Sequence, residues 1–197
     1  MPSSHAAAGT SLRQLVNTRE RFLYAGMLVI SALVYAGMAC AVISKPETGA
    51  SIISYAVLFS LVGVFAHGLA LGRIRGNAVR VSERQFPQLH RLATVHARRL
   101  GLKQVPAVYV MESGGLLNAF ATRFLGRDFV VVYSDVLELA LAQEAAVGFI
   151  VGHELAHIWR GHLKHRWLTT PGRLFPYLGA AYSRACEYTC DRVGAYC

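Results

Sequence analysis

The stretch GHELAHIWRGH, residues 152–162, holds three histidines and a glutamate within eleven residues. Its first part, His153-Glu154-Leu155-Ala156-His157, has the pattern HExxH. Four residues turn an α-helix through about 400°, so His153 and His157 share a face, separated by about 6 Å of rise. That spacing lets both imidazoles reach one Zn²⁺ at about 2.1 Å, with Glu154 beside them to take a proton from a water polarised by the metal. The preceding residues, AAVGFIV (145–151), are apolar and predict a buried helix. Burying two histidines and a glutamate there without a metal or other partners is costly. The stretch therefore reads as a metal site rather than a polar patch on an ordinary helix.

Zinc that does chemistry takes three protein ligands and keeps one position open. His162 lies nine residues past His153, about half a turn out of phase, and His165 lies twelve residues on, roughly 18 Å along the axis. On an unbroken helix neither reaches the same ion, and both read as surface groups or as groups behind the ligands. The segment SRACEYTCD (183–191) offers Glu187 and Asp191, four residues apart and on one helical face. A helical hairpin would return Glu187 to the zinc, and Asp191 could accept the second ring N–H of a ligating histidine. The plain alternative is a solvated helix face. Cys186 and Cys190 flank Glu187 at the same spacing; a thiolate site is conceivable, but they read as small packing residues.

Outward from the motif, the N-terminal half is of another kind. Charged residues make up 16% of the 197, against about 25% in an average soluble domain, and mean hydropathy is +0.37. Residues 22–43 and 52–72 carry no Asp, Glu, Lys or Arg. Each run is long enough to cross a ~30 Å hydrocarbon core as a helix. The division expected is a tail (1–21), whose first ten residues read as disordered, a transmembrane helix (22–43), a short external loop (44–51) interrupted by Pro46, a second transmembrane helix (52–72) and a soluble domain (73–197). Arginines flank the pair on both outer sides, so the positive-inside rule puts both termini in the cytoplasm. A cleaved signal peptide would have a shorter apolar region. His67, inside the second run but near its end, reads as a bland interfacial histidine. The net charge of +9 is scattered, with no nucleic-acid module or basic stripe, so no nucleic-acid partner is expected. Four cysteines, three of them crowded near the end, do not form the framework of a small secreted protein; a reduced compartment is the default.

Residues 85–102 predict an amphipathic helix with Leu89, Leu92, Val95, Ala97 and Leu100 on its apolar face, and His90 and His96 off it, solvated or capping. VPAVYVME (105–112) reads as a strand, SGGLLNAFATRFLG (113–126) as a turn and short strand, and Phe129 to Tyr133 as a third strand. Ser134 or Asp135 then caps a helix, a long helix carries residues 142–167, and a last helix follows after TTPGRLFP. The fold class is α+β, mostly helical with a small sheet.

In order along the chain, NAFA within VPAVYVMESGGLLNAFATRF, then QEAAVGFIVGHELAHIWRGH, then SRACEYTCD resemble the HtpX-type and CAAX-prenyl-protease-type membrane metallopeptidases, within the gluzincins. The resemblance runs from about Phe86 to Tyr196. It implies a zincin-like domain with one Zn²⁺ per chain on His153, His157 and Glu187, Glu154 as general base, and Asp191 behind the ligands. It also implies that Asn118, Ala119, Phe120 and Ala121 line the cleft, where an exposed strand edge would pair with a protein or peptide substrate. The implied activity is a zinc endopeptidase anchored in a lipid bilayer, a bacterial inner or cell membrane, with its catalytic domain in the cytoplasm and work in membrane-protein quality control. Two departures stand out. Only 29 residues separate His157 from Glu187, leaving no room for a further membrane hairpin, and the chain stops six residues after Asp191, where family domains continue. A C-terminally truncated member is therefore one expectation, with Arg184 or Arg192 as candidates for an oxyanion-stabilising group. The rival to an enzyme is a metal-binding membrane scaffold or inactive fragment.

Overall fold

The computed structural model describes residues 11–112, 118–141, 143–164 and 166–197. The tail 1–10, residues 113–117 where a turn is expected, Ala142 and His165 lie outside the described residues. The chain begins with a 3₁₀ turn (Leu12–Leu15) and two long helices, α1 (Thr18–Ser44) and α2 (Pro46–Asn77). Both are long and apolar enough to cross a membrane. The stretch 44–51, expected as a loop, is helical apart from Lys45. Pro46 starts α2 instead of merely stopping α1, because its missing N–H is an orphan in a first helical turn anyway. Gly49 permits the tight reversal: a Cβ there would lie 2.8 Å from the Val42 carbonyl oxygen.

A short strand β1 (Ala78–Arg80), absent from the sequence reading, follows directly. Then come α3 (Pro87–Arg99), β2 (Ala107–Met111), β3 (Ala119–Phe124) and β4 (Arg127–Tyr133). The sheet order is β1-β2-β4-β3, with β2 and β4 parallel and the outer pairs antiparallel. β3 is therefore an edge strand. The β3–β4 turn is Leu125–Gly126, both at positive φ, as a two-residue type I′ hairpin turn requires. The run Phe129 to Val132 is apolar without alternation because both faces of β4 are covered. Val130 and Val132 face the main core, while Phe129 packs with Tyr109 and Leu71 of α2 on the other side.

Helices α4 (Ser134–Leu141), α5 (Glu144–Arg160), α6 (Thr170–Leu174) and α7 (Leu178–Tyr196) complete the chain. Four features position the site.

The first is on α3. Leu89, Ala93, Ala97 and Leu100 form its buried face, but Val95 is exposed and His96 is only 4% exposed, the reverse of expectation. His96 lies under α5, its Nε2 3.5 Å from where a Cβ on Gly148 would stand. Among the described residues, neither ring nitrogen has a hydrogen-bond partner.

The second is the end of α5. The long helix expected over 142–167 stops at Arg160. Gly161 takes φ +74°, and the His162 N–H bonds the His157 carbonyl at 3.0 Å, a Schellman closure.

The third is the α5–α7 crossing. A Cβ on Gly152 would meet the Cys197 Cβ at 2.7 Å and the Gly194 Cα at 3.2 Å, and one on Gly194 would meet the Phe149 carbonyl oxygen at 2.9 Å. Only glycines let the two backbones approach this closely, and His153 thereby faces α7.

The fourth is α1. Its N-terminal half is not a free helix: Glu20, Met27 and Ser31 lie buried along one face. Met27 packs on Tyr182 and Cys186, and the Gly172 N–H donates to Ser31 Oγ at 2.9 Å.

Candidate metal centre

On α5 the one-residue step from His153 to Glu154 turns Glu154 inward, where it is 7% exposed, while His153 and His157 open toward α7. The two rings are 5.2 Å apart between centroids. Across the helix crossing, Glu187 Oε2 lies 3.1 Å from His153 Nε2 and 3.7 Å from His157 Nε2. Donors bound tetrahedrally at ~2.0–2.1 Å to one ion stand about 3.3–3.4 Å from each other. Both Glu187 distances are near that value, and imidazole with carboxylate is a donor set suited to zinc.

The remaining ring nitrogens are also held. Asp191 Oδ1 is 3.0 Å from His153 Nδ1. His157 Nδ1 is 3.0 Å from His162 Nδ1. Of the two readings of His162, surface or behind the ligands, the structure has the second: the Gly161 closure ends α5 and folds residue 162 back, and its side chain is only 7% exposed. His162 is behind the site, not on the surface.

A second donor set is possible on geometry alone. Ligand atoms of His153, His157 and Cys190 lie within 4.8 Å of one another. Cys190 is fully buried, and burial, reinforced by Glu187, pushes its thiol far above the usual range. A thiolate is needed to ligate, whereas Glu187 is half-exposed. The carboxylate is the better third donor.

Burial raises the Glu154 pKa above its ordinary value. His153 and a hydrogen bond donated by the Ala121 backbone N–H moderate the effect, and Glu187 adds to it. Burial, then the neighbours His162 and His153, lower His157 to about 3, so its ring is neutral and its lone pair is free at neutral pH.

Asn118, Ala119, Phe120 and Ala121 line the same cavity as His153, Glu154, His157 and Glu187, a space of about 390 Å³. The parity of β3 matters here. Asn118 gives its carbonyl to Tyr133 on β4, whereas Ala121 turns its N–H to Glu154 and Arg123 turns its carbonyl to His67 Nε2, 3.2 Å away. The odd-numbered residues of β3 thus point their backbone groups away from the sheet. Arg184 and Arg192 are exposed and do not line the cavity; Arg166, Arg173 and Tyr182 do. Arg173 was missed because TTPGRLFP reads only as a helix breaker, and Arg166 because it reads as the end of the long helix.

Comparison with curated proteins and with solved structures gives no match. A family model does match, that of peptidase family M48, over residues 83–178. The match spans α3, the whole of β2 to β4 and α5, and ends at the first residue of α7, before Glu187. These residues, His153, Glu154 and His157 among them, carry the similarity of the chain to peptidase family M48.

Proposed function

We propose that the chain is a membrane-anchored zinc endopeptidase with His153, His157 and Glu187 as metal ligands, Glu154 as general base and Asp191 fixing the His153 ring. The observation that carries the proposal is the convergence of Glu187 on both histidines of the HExxH pair beside a buried glutamate and an open strand edge. A zinc ion held by these residues would supply Lewis acidity, to the scissile carbonyl and to a water molecule made easier to deprotonate. Glu154 takes the proton of that water and delivers it to the leaving amine; its raised pKa suits both halves of the transfer. The Ala121 N–H holds the Glu154 carboxylate in place. Ala119 keeps an outward N–H and carbonyl, and Ala121 an outward carbonyl, for an extended peptide to pair with.

Membrane anchoring rests on α1 beyond its buried half and on α2 before Leu71, where large apolar side chains are exposed. Leu33, Ile43, Phe59 and Phe65 are each about 70–80% exposed. Arginine-rich outer flanks favour both termini, and with them the peptidase domain, on the cytoplasmic side. The tail, two-span and soluble-domain division belongs to the same proposal.

The test uses the full chain in detergent. Glu154→Gln should keep one zinc per chain and lose at least about 100-fold in peptide cleavage, the general-base contribution. Cleavage at the wild-type rate would remove the reading. Stoichiometric zinc without cleavage by the wild type would favour a metal-binding scaffold.

A further inference from the structure

Glu20 sits in the first turn of α1, far from the site in sequence and outside the family match, yet it is 2% exposed. Its Oε1 is 3.2 Å from His162 Nε2, and His162 Nδ1 is 3.0 Å from His157 Nδ1. We propose that Glu20 is a positioning residue for the metal centre, acting through His162 to hold His157 in the tautomer that leaves Nε2 free for the ion. The proposal rests on the metal reading of His153, His157 and Glu187.

Two ring nitrogens 3.0 Å apart must share one hydrogen: two would collide and none would leave lone pairs opposed. A carboxylate can only accept, so it draws the His162 proton to Nε2 and leaves His162 Nδ1 bare. The bare Nδ1 then accepts from His157 Nδ1, and the His157 lone pair is left on Nε2, facing Glu187. With the opposite tautomer of His162, the His157 proton would sit on Nε2 and block the ion. Glu20 is itself pinned. Arg160 donates to Oε1 from Nε at 3.0 Å and from its terminal nitrogen at 2.5 Å, and Thr189 Oγ1 donates to Oε2 at 2.5 Å. Both ligand histidines thus end on a carboxylate, His153 directly on Asp191 and His157 through His162 on Glu20.

The same residues also form a triple with Cys186, with ligand atoms within 4.8 Å. A second metal ion there is disfavoured, because the Arg160 cation already occupies the Glu20 oxygen and burial pushes the Cys186 thiol up to about 12. A purely structural clamp, Glu20 to Arg160 pinning α1, is the other alternative, and it says nothing about the His157 tautomer.

Two readouts on the full chain in detergent at pH 8 separate these ideas. Ring ¹⁵N–¹H correlation of the metal-free wild type should find His157 protonated on Nδ1 and His162 on Nε2; His157 protonated on Nε2 overturns the proposal. Chelator competition should find Glu20→Gln and His162→Phe weakened about 10–100-fold for Zn²⁺, the usual loss when a group behind a ligand is removed. Wild-type affinity in both folded variants overturns the relay. Should a variant fail to fold, the tautomer measurement decides alone. Glu187→Ala separates the two levels of the proposal. If it loses zinc while Glu20→Gln does not, the metal reading stands and the relay falls. If the wild type binds no zinc, both fall. Two zinc ions per chain would mean that the Glu20 cluster is a metal site, which also overturns the relay.

Discussion

His157 is the residue on which the chemistry of the site turns most visibly. Its pKa of about 3 in the fold stands against an ordinary 6.5. Between these values the unfolded chain binds a proton that the folded chain refuses, so stability rises with pH across that window and is lost as pH falls through it. The urea midpoint of the metal-free protein should therefore drop between pH 7 and pH 4, and His157→Gln should flatten the drop; equal slopes for both would refute the assignment. His96 shifts in the same direction by burial, next to Arg99, and among the described residues has no partner for either nitrogen. Exchanging an unsatisfied buried ring for an apolar side chain is neutral or stabilising. His96→Leu should raise stability by about 1 kcal/mol in thermal unfolding, and a loss of that size would mean that the ring has an unrecognised partner. Which of these residues could be read from sequence follows from range. The HExxH pair is an i, i+4 relation and declares itself. For His162 the choice between the surface and a place behind the ligands stayed open, because one αL glycine, Gly161, reverses the chain. His96 was misjudged because a polar residue off an apolar stripe was assumed to face water.

At the scale of elements, the α5–α7 crossing and the β3 edge make the site. Gly194→Ala would drive a methyl to within 2.9 Å of the Phe149 carbonyl oxygen, a backbone atom that cannot step aside. Overpacking of this kind costs about 1–3 kcal/mol, and it should also weaken zinc binding because Glu187 and Asp191 ride on α7. Chelator competition beside thermal unfolding checks both, and an unchanged affinity would mean that the crossing does not set the ligand geometry. On β3, Ala119→Pro removes an outward N–H without touching the β4 ladder, a position where an edge strand tolerates proline. One lost hydrogen bond of about 0.5–1.5 kcal/mol predicts KM for a peptide substrate up about 2- to 12-fold with kcat little changed; an unaltered KM would count against pairing at this edge. Strands β2 to β4 and the helices around them were legible because their apolar runs are long. β1 was not: three residues, Ala78 to Arg80, carry no period to detect. That β3 would be an edge was implied only by the family resemblance, since an edge depends on which strands pair and no local pattern shows it.

For the whole molecule, the hairpin of α1 and α2 is part of the peptidase unit as well as a candidate anchor. Met27 is fully buried against α7, and a Cβ on Gly172 would lie 2.4 Å from the Met27 carbonyl oxygen. The two uncharged runs were legible as membrane-length helices from composition alone. That the first would lend Glu20 and Met27 to the far end of the chain was not, because contacts between residues more than 140 positions apart leave no trace in local pattern. A chain begun at residue 78 should therefore lose zinc affinity and solubility, as measured by metal content and gel filtration. A soluble, zinc-replete product would show the hairpin to be an appendage.

The central claim, a single ion held by two imidazoles and a carboxylate, is open to one direct measurement. X-ray absorption at the zinc edge of the loaded full-length chain should find only nitrogen and oxygen neighbours at about 2.0–2.2 Å, with an imidazole signature for two histidines. A sulfur neighbour at about 2.3 Å would place Cys190 where Glu187 is proposed and contradict the account.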